Sequence, residues 1–259
     1  MNILVCVKRV PATGGRIFLT PDGSDIDTRH LGFTVSPHEE CAVEEAVRLV
    51  EAHGGVSTVM TLGPAEAEEQ LREAMAIGIE KAVLLETDGA DWDPMATARA
   101  LVAAIRDEEA AGGSFDLILV GNESADSGGF QVGIRVAAAL GRPMVTGVKS
   151  LDVRPAEGRV TARREAAEGG WESFDIPLPA VVGVKEGLNL PRYPSVPGRL
   201  RARKKEVARI TPAHEPGGLR KVVLRLPVVE ATTAQVLGTG ADAAPAAVDL
   251  MARLGILGR

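Results

Sequence analysis

Aromatic side chains are scarce in this chain of 259 residues: Phe, Trp and Tyr make up 3% of it, and Tyr193 is its single tyrosine. Any core must therefore be aliphatic, built from Val, Leu, Ile and Ala. The two cysteines, Cys6 and Cys41, have no CxxC spacing, which excludes a disulfide framework and points to a reducing compartment. No run of about 18 apolar residues occurs, so no membrane insertion is expected. Met1-Asn2 leads straight into an apolar segment without the charged start and cleavage site of a signal peptide, so the expected location is cytoplasmic. The four histidines (His30, His38, His53, His214) show no metal spacing, and there is no GxSxG elbow, Cys–His pairing or close carboxylate pair. Cys6 sits in a buried strand and reads as core. His53 reads as exposed at a helix C-terminus, and His38, after Pro37 at a helix start, reads either as facing a site there or, by preference, as a surface residue. If the chain does redox chemistry, a bound cofactor must carry it. A net charge of −6 argues against nucleic-acid partners.

What remains is ordinary for a globular protein, 45% apolar and 25% charged, with length for one large domain or two small ones. Apolar runs at Ile3–Val7, Val56–Met60, Ala82–Leu85 and Leu117–Val120 read as buried strands. Helical patterns lie between and after them. Val43, Ala46, Val47 and Val50 share one face; a second helix spans about Pro64 to Ile77; Ala98, Leu101, Val102 and Ile105 mark a third. Phe130, Ile134, Ala137 and Ala138 define a fourth. Buried strands with helical crossovers predict a doubly wound, mostly parallel, Rossmann-like α/β sheet. Arg16–Gly32 reads as a β-excursion, Val160–Arg164 with Trp171–Phe174 as a β-hairpin, and Ala180–Val184 as one more strand. Ala231–Pro245 reads as an extended linker and Val248–Leu257 as a terminal apolar helix that lies on its own domain or on a partner.

Two segments carry the functional argument. In a doubly wound sheet, ligands bind beyond the carboxyl ends of strands. After the fourth strand comes Gly121-Asn122-Glu123-Ser124-Ala125-Asp126-Ser127-Gly128-Gly129-Phe130-Gln131-Val132, whose N–H groups and serine hydroxyls suit a phosphate at a helix N-terminus. It is neither GxGxxG nor GxxxxGK[ST], which excludes P-loop ATPase chemistry; tight packing alone also explains many such turns. The second segment is Leu188–Lys205, LNLPRYPSVPGRLRARKK. Its prolines Pro191, Pro194 and Pro197 argue against both an interior strand and a helix. It offers Tyr193 and Val196 beside five positive charges, either as a docking tip or as a pinned crossover with a solvated tail.

The motifs VKRVP (Val7–Pro11), SPHEECAVEEAVRL (Ser36–Leu49), LGPAEAEEQLREAMAIG (Leu62–Gly78), DLILVGNESAD (Asp116–Asp126), LPAVV (Leu178–Val182) and LNLPRYPSVPGRLRARKK together resemble the β subunit of electron transfer flavoprotein, over nearly the whole chain. That resemblance implies a heterodimer with an α subunit that holds most of the FAD, and AMP bound as a structural ligand in this chain. It places the nucleotide at Cys6, at Ser36, Pro37, His38 and Glu39, at Leu62 and along Gly121–Val132. It makes Leu188–Lys205 the partner-recognition loop, with Val196 as apolar anchor, Tyr193 and Pro197 beside it, and Arg201, Arg203 and Lys204 meeting an acidic face. The implied work is carrying electrons, without being an enzyme, from flavin dehydrogenases such as those of acyl-CoA to a quinone-linked oxidoreductase. Two departures stand out. The family's QAIDxD pattern reads ESADSGG here, with Asp126 kept, which bears on the identity of the nucleotide. The anchor, often Leu, is Val196, smaller by one methylene or roughly 0.8 kcal/mol of contact.

The implied organisation is a nucleotide-binding domain over 1–187 with the hairpin at about 158–176, the recognition loop over 188–205, and an extension over 206–259 packing on the α subunit. Two other readings stand beside the carrier. One is a bifurcating relative that oxidises NADH and holds a second FAD in place of AMP. The other is a stand-alone nucleotide-binding protein of the stress-protein type, which leaves residues 151–259 unexplained.

Overall fold

The computed structural model describes residues 1–12, 14, 17–227 and 234–257. The chain divides into two compact units, Met1–Val223 and Leu224–Arg259.

In the first unit, β1 (Asn2–Cys6) leads to a small antiparallel pair, β2 (Val10–Pro11) with β3 (Phe33–Thr34), and then to α1 (Pro37–His53). The excursion between β2 and β3 carries one isolated antiparallel bridge, Leu19 with Ile26; its predicted first residue, Arg16, lies outside the described residues. Next come β4 (Val56–Gly63), α2 (Glu68–Ile77), β5 (Lys81–Glu86), α3 (Pro94–Gly112), β6 (Leu117–Gly121) and α4 (Val132–Leu140). The unit continues through β7 (Met144–Arg154), β8 (Arg159–Glu165), β9 (Trp171–Pro177), β10 (Ala180–Val184), α5 (Val196–Ala202) and β11 (Ala208–Ile210).

Nine of these strands form one sheet in the order β11-β5-β4-β1-β6-β10-β7-β8-β9. Pairing is parallel from β11 to β7 and antiparallel only along β7-β8-β9. The strands inside are apolar runs because both faces are covered. In β1, Ile3 and Val5 join the core under α1 and α2, while Leu4 and Cys6 join the core under α3 and α4. The chain runs outward from β1 through β4 and β5, then returns to lay β6 on the other side of β1. That reversal opens a crevice at the carboxyl ends of β1 and β6, where such sheets hold their ligands.

Several expectations need correction. Leu188–Lys205 does contain a helix, α5: Ser195 caps it and Pro197 sits in its first turn, where no amide hydrogen is required. The buried face of α4 is Val136 and Ala137, whereas Phe130 precedes the helix and is exposed, as is Ile134. β7 was not anticipated, because its half-buried polar positions break any apolar run. Edge strand β11 was likewise unread.

In the second unit, a 3-10 turn (Gly240–Ala243) leads into α6 (Ala244–Arg253). The terminal helix thus begins four residues before Val248, and Pro245 belongs to its first turn rather than to a linker. The predicted linker start, Ala231, lies outside the described residues. Among the described residues no helix is long and apolar enough to cross a membrane.

Candidate functional site

The crevice is organised by the start of α1. Ser36 caps the helix and Glu39 completes a capping box: the Ser36 hydroxyl accepts from the Glu39 N–H at 3.3 Å, and a Glu39 carboxylate oxygen accepts from the Ser36 N–H at 2.9 Å. The other Glu39 oxygen accepts from the Lys8 N–H at 2.8 Å, so one side chain ties the end of β1 to the start of α1. Glu39 also packs on the end of β6. A Cβ at Gly121 would lie 2.6 Å from the Glu39 Cγ, so only glycine fits there. Burial pushes the Glu39 carboxyl up to about 7, against the opposing pull of the Ser36 and Lys8 N–H groups. Burial, with the charge of Glu39 added, pushes the Cys6 thiol up to about 12. Cys6 is therefore an inert wall, not a nucleophile.

The loop after β6 folds over this corner. The Asn122 N–H donates to Val184 O at 2.9 Å and its side-chain oxygen accepts from the Gly147 N–H at 2.9 Å, so it links β6, β10 and β7. Lys8 Nζ meets Asp126 Oδ2 at 2.6 Å. Burial raises Asp126, but the adjacent Lys8 outweighs it and holds the carboxyl below its usual range. The hydroxyls of Ser124 and Ser127 lie 2.8 Å apart, and the Gly128 N–H closes the turn on Ser124 O. Gly128 and Phe130 both have positive φ, 54° and 53°; the glycine adopts this freely, the phenylalanine only under constraint. Gln131 bonds Arg135 at 2.9 Å and does not cap α4, so the first turn of that helix keeps free N–H groups.

His38 is half-buried rather than on the surface: its Nδ1 accepts from the Glu186 N–H at 2.9 Å, and Nε2 lies 3.7 Å from Glu123 Oε1. Cys6, Ser36, His38, Glu39 and Gly121–Asp126 are thus brought together at neighbouring strand and helix ends. Leu62 stands at the end of β4, the strand beside β1, and packs into the core under α3. Pro37, Ala125, Gly129 and Phe130 are exposed, and Val132 opens α4. No group of side chains able to hold a metal occurs among the described residues.

A second locale surrounds α5. Tyr193 is 96% exposed and Val196 is 72% exposed. Arg201, Arg203 and Lys204 are exposed and form no ion pair among the described residues. Lys205 is different: its Nζ donates to Ile79 O at 2.9 Å, so one of the five charges is a fastener. α5 lies tight on α2, where a Cβ at Gly198 would stand 2.2 Å from Ala76 O, and Arg72 donates to Ala202 O at 2.6 Å. The residues that sequence reasoning missed are those that hold the segment before α5. Glu44, Glu45 and Glu51 on α1 receive Asn189 and Arg192. The signal available was the EE of AVEEA, two acids on a helix flank otherwise apolar.

The chain is similar to known proteins along most of its length. A family model described as the electron transfer flavoprotein domain matches residues 25–215. The electron transfer flavoprotein subunit beta of Bacillus subtilis is 37% identical over 207 residues, 79% of this chain and 77% of that protein. The subunit beta of Thermoanaerobacterium thermosaccharolyticum is 36% identical over 214 residues, 82% of this chain and 78% of that protein. That of Mycobacterium leprae is 37% identical over 216 residues, 81% and 79% of the two chains.

Proposed function

The chain belongs to the electron transfer flavoprotein family, as a β subunit, and from that premise we propose that it pairs with an α subunit and carries electrons between flavoproteins without catalysing a reaction of its own. Electrons come from flavin dehydrogenases such as those of acyl-CoA and leave to a quinone-linked oxidoreductase. FAD, held mostly by the α subunit, supplies the redox chemistry. AMP binds in this chain as a structural ligand.

The residues fit an adenine nucleotide. The observation that carries the reading is the uncapped first turn of α4 next to the Ser124 and Ser127 hydroxyls, an anion-binding donor set at the switch point of the sheet, with Lys8 held beside it by Asp126. Ser36, Pro37, His38, Glu39 and the 121–132 loop would hold the nucleotide, with Cys6 and Leu62 as apolar wall. Glu39 keeps the three chain ends in register. The docking part of the reading is supported by the exposed pair Tyr193 and Val196 beside unpaired Arg201, Arg203 and Lys204. Of the extension over 206–259, Ala208–Ile210 pairs with β5; the part beyond Val223 is assigned to the α subunit, consistent with Val248 and Met251 exposed on α6.

The heterodimer, produced from both subunits, should be reduced by an acyl-CoA dehydrogenase supplied with its acyl-CoA and reoxidised by a quinone-linked oxidoreductase. Reduction by NADH in place of the dehydrogenase would replace the carrier with the bifurcating reading.

A further inference from the structure

The exposed tip at Tyr193 and Val196 hangs between two attachments. On its far side α5 is packed on α2. On its near side the stretch from Asn189 to Ser195 has no regular structure, and two of its residues reach α1. The Arg192 guanidinium spans two carboxylates one heptad apart on that helix. Its Nε and Nη2 meet Glu44 Oε2 and Oε1, each at 2.9 Å, while Nη1 and Nη2 meet Glu51 Oε1 and Oε2 at 2.7 and 3.0 Å. The Arg192 backbone N–H adds a bond to Glu44 Oε2 at 3.1 Å. Asn189 donates to Cys41 O at 3.0 Å and to Glu45 Oε2 at 2.9 Å. Glu44 is buried, so its charge is matched by this arginine or by nothing. Planar fork geometry with four bonds to two acids is a feature of arginine that lysine does not reproduce.

We propose that Arg192 is a positioning residue for electron transfer: the Arg192–Glu44–Glu51 clamp fixes the loop on α1 and so presents Tyr193 and Val196 in one docking geometry. The proposal rests on the docking reading given above. The guanidinium is fully engaged by its two carboxylates, whereas Arg201, Arg203 and Lys204 are exposed and form no ion pair among the described residues. Because α1 also carries Ser36, His38 and Glu39 in the crevice at its N-terminus, the docking loop and the nucleotide corner share one rigid element.

The test uses the heterodimer with an acyl-CoA dehydrogenase as electron donor, and compares wild type, Arg192→Lys, Arg192→Gln and Glu51→Gln. If an unclamped loop holds the docking geometry a tenth of the time, the KM for the dehydrogenase rises roughly tenfold for Arg192→Gln. The maximal rate and flavin content stay at wild-type values, hydrogen exchange quickens over residues 188–195, and Arg192→Lys recovers part of the loss. Arg192→Gln leaves Glu44 buried and unmatched, so it can fail to fold. Glu51→Gln removes only the exposed half of the clamp and is expected to shift KM and exchange the same way, by less. An unchanged KM in both Arg192→Gln and Glu51→Gln, where Val196→Ala raises it, overturns the proposal. So does unchanged exchange over 188–195. If Val196→Ala itself leaves KM unchanged, it is the docking reading that falls, and the exchange arm still decides the clamp.

Discussion

Replacing Glu39 with Gln should abolish a pH dependence of stability that the structure builds into the crevice. Burial places the folded-state pKa of Glu39 near 7, against 4.5 for a free glutamate. The folded chain therefore keeps this proton to higher pH than the unfolded chain does. Its contribution to stability is fully present below pH 4.5 and is lost as pH rises through 7. Moving from 4.5 to about 7 corresponds to about 3 kcal/mol, at roughly 1.4 kcal/mol for each tenfold change in proton affinity. The amide has no proton to lose, so its contribution is flat. Like the protonated carboxyl it replaces, the amide carries hydrogen on one of the two atoms that face the Lys8 and Ser36 N–H groups. Urea unfolding of wild type and variant at equal concentration, from about pH 4 to 8, reads the difference directly, since the other titrating groups cancel in it. Wild type and variant should be close in stability at low pH, and the wild type should fall behind by about 3 kcal/mol by pH 7.5. Parallel curves at all pH values would refute the buried, proton-retaining Glu39.

Other predictions concern the docking segment. Val196→Ala removes two methyl groups from a 72% exposed tip, worth about 1.6 kcal/mol if buried on docking, so the KM for the dehydrogenase should rise roughly tenfold with flavin and nucleotide content intact. Unchanged transfer would show that the tip does not dock. Gly198→Ala puts a methyl 2.2 Å from Ala76 O and should cost about 1–3 kcal/mol in urea unfolding as α5 lifts from α2; a neutral effect would mean that α5 is not held there. If Arg201, Arg203 and Lys204 steer an acidic partner, stopped-flow association should slow as salt rises. A rate independent of salt would return these charges to a solvated role.

The parts of the fold that were legible in sequence are those in which one cause dominates. β1, β4, β5 and β6 are covered on both faces and so appear as apolar runs. β7 alternates between core and polar neighbours through Thr146, Lys149, Ser150 and Asp152, and no run survives to announce it. The prolines point the wrong way in one place: Pro197 reads as a breaker, but at the first turn of α5 it is a helix starter. Phe130 reads as part of α4 because it looks like a core residue, and only its positive φ and exposure place it on the loop. In the crevice, the grouping of Ser36 with Glu39 follows from local capping chemistry, which a sequence displays. The burial of Glu44 does not, because the residue that covers it, Arg192, lies 148 positions away. A long-range ion pair leaves no local pattern.

The family assignment rests on most of the chain, whereas the claim that this subunit is a carrier's nucleotide-holding half rests on the corner between β1, α1 and β6. One measurement tests that claim most directly: the nucleotide content of the purified heterodimer, released by denaturation and quantified by chromatography. The account predicts one FAD and one AMP per heterodimer. Two FAD molecules and no AMP would contradict it, and would make the crevice a second flavin site.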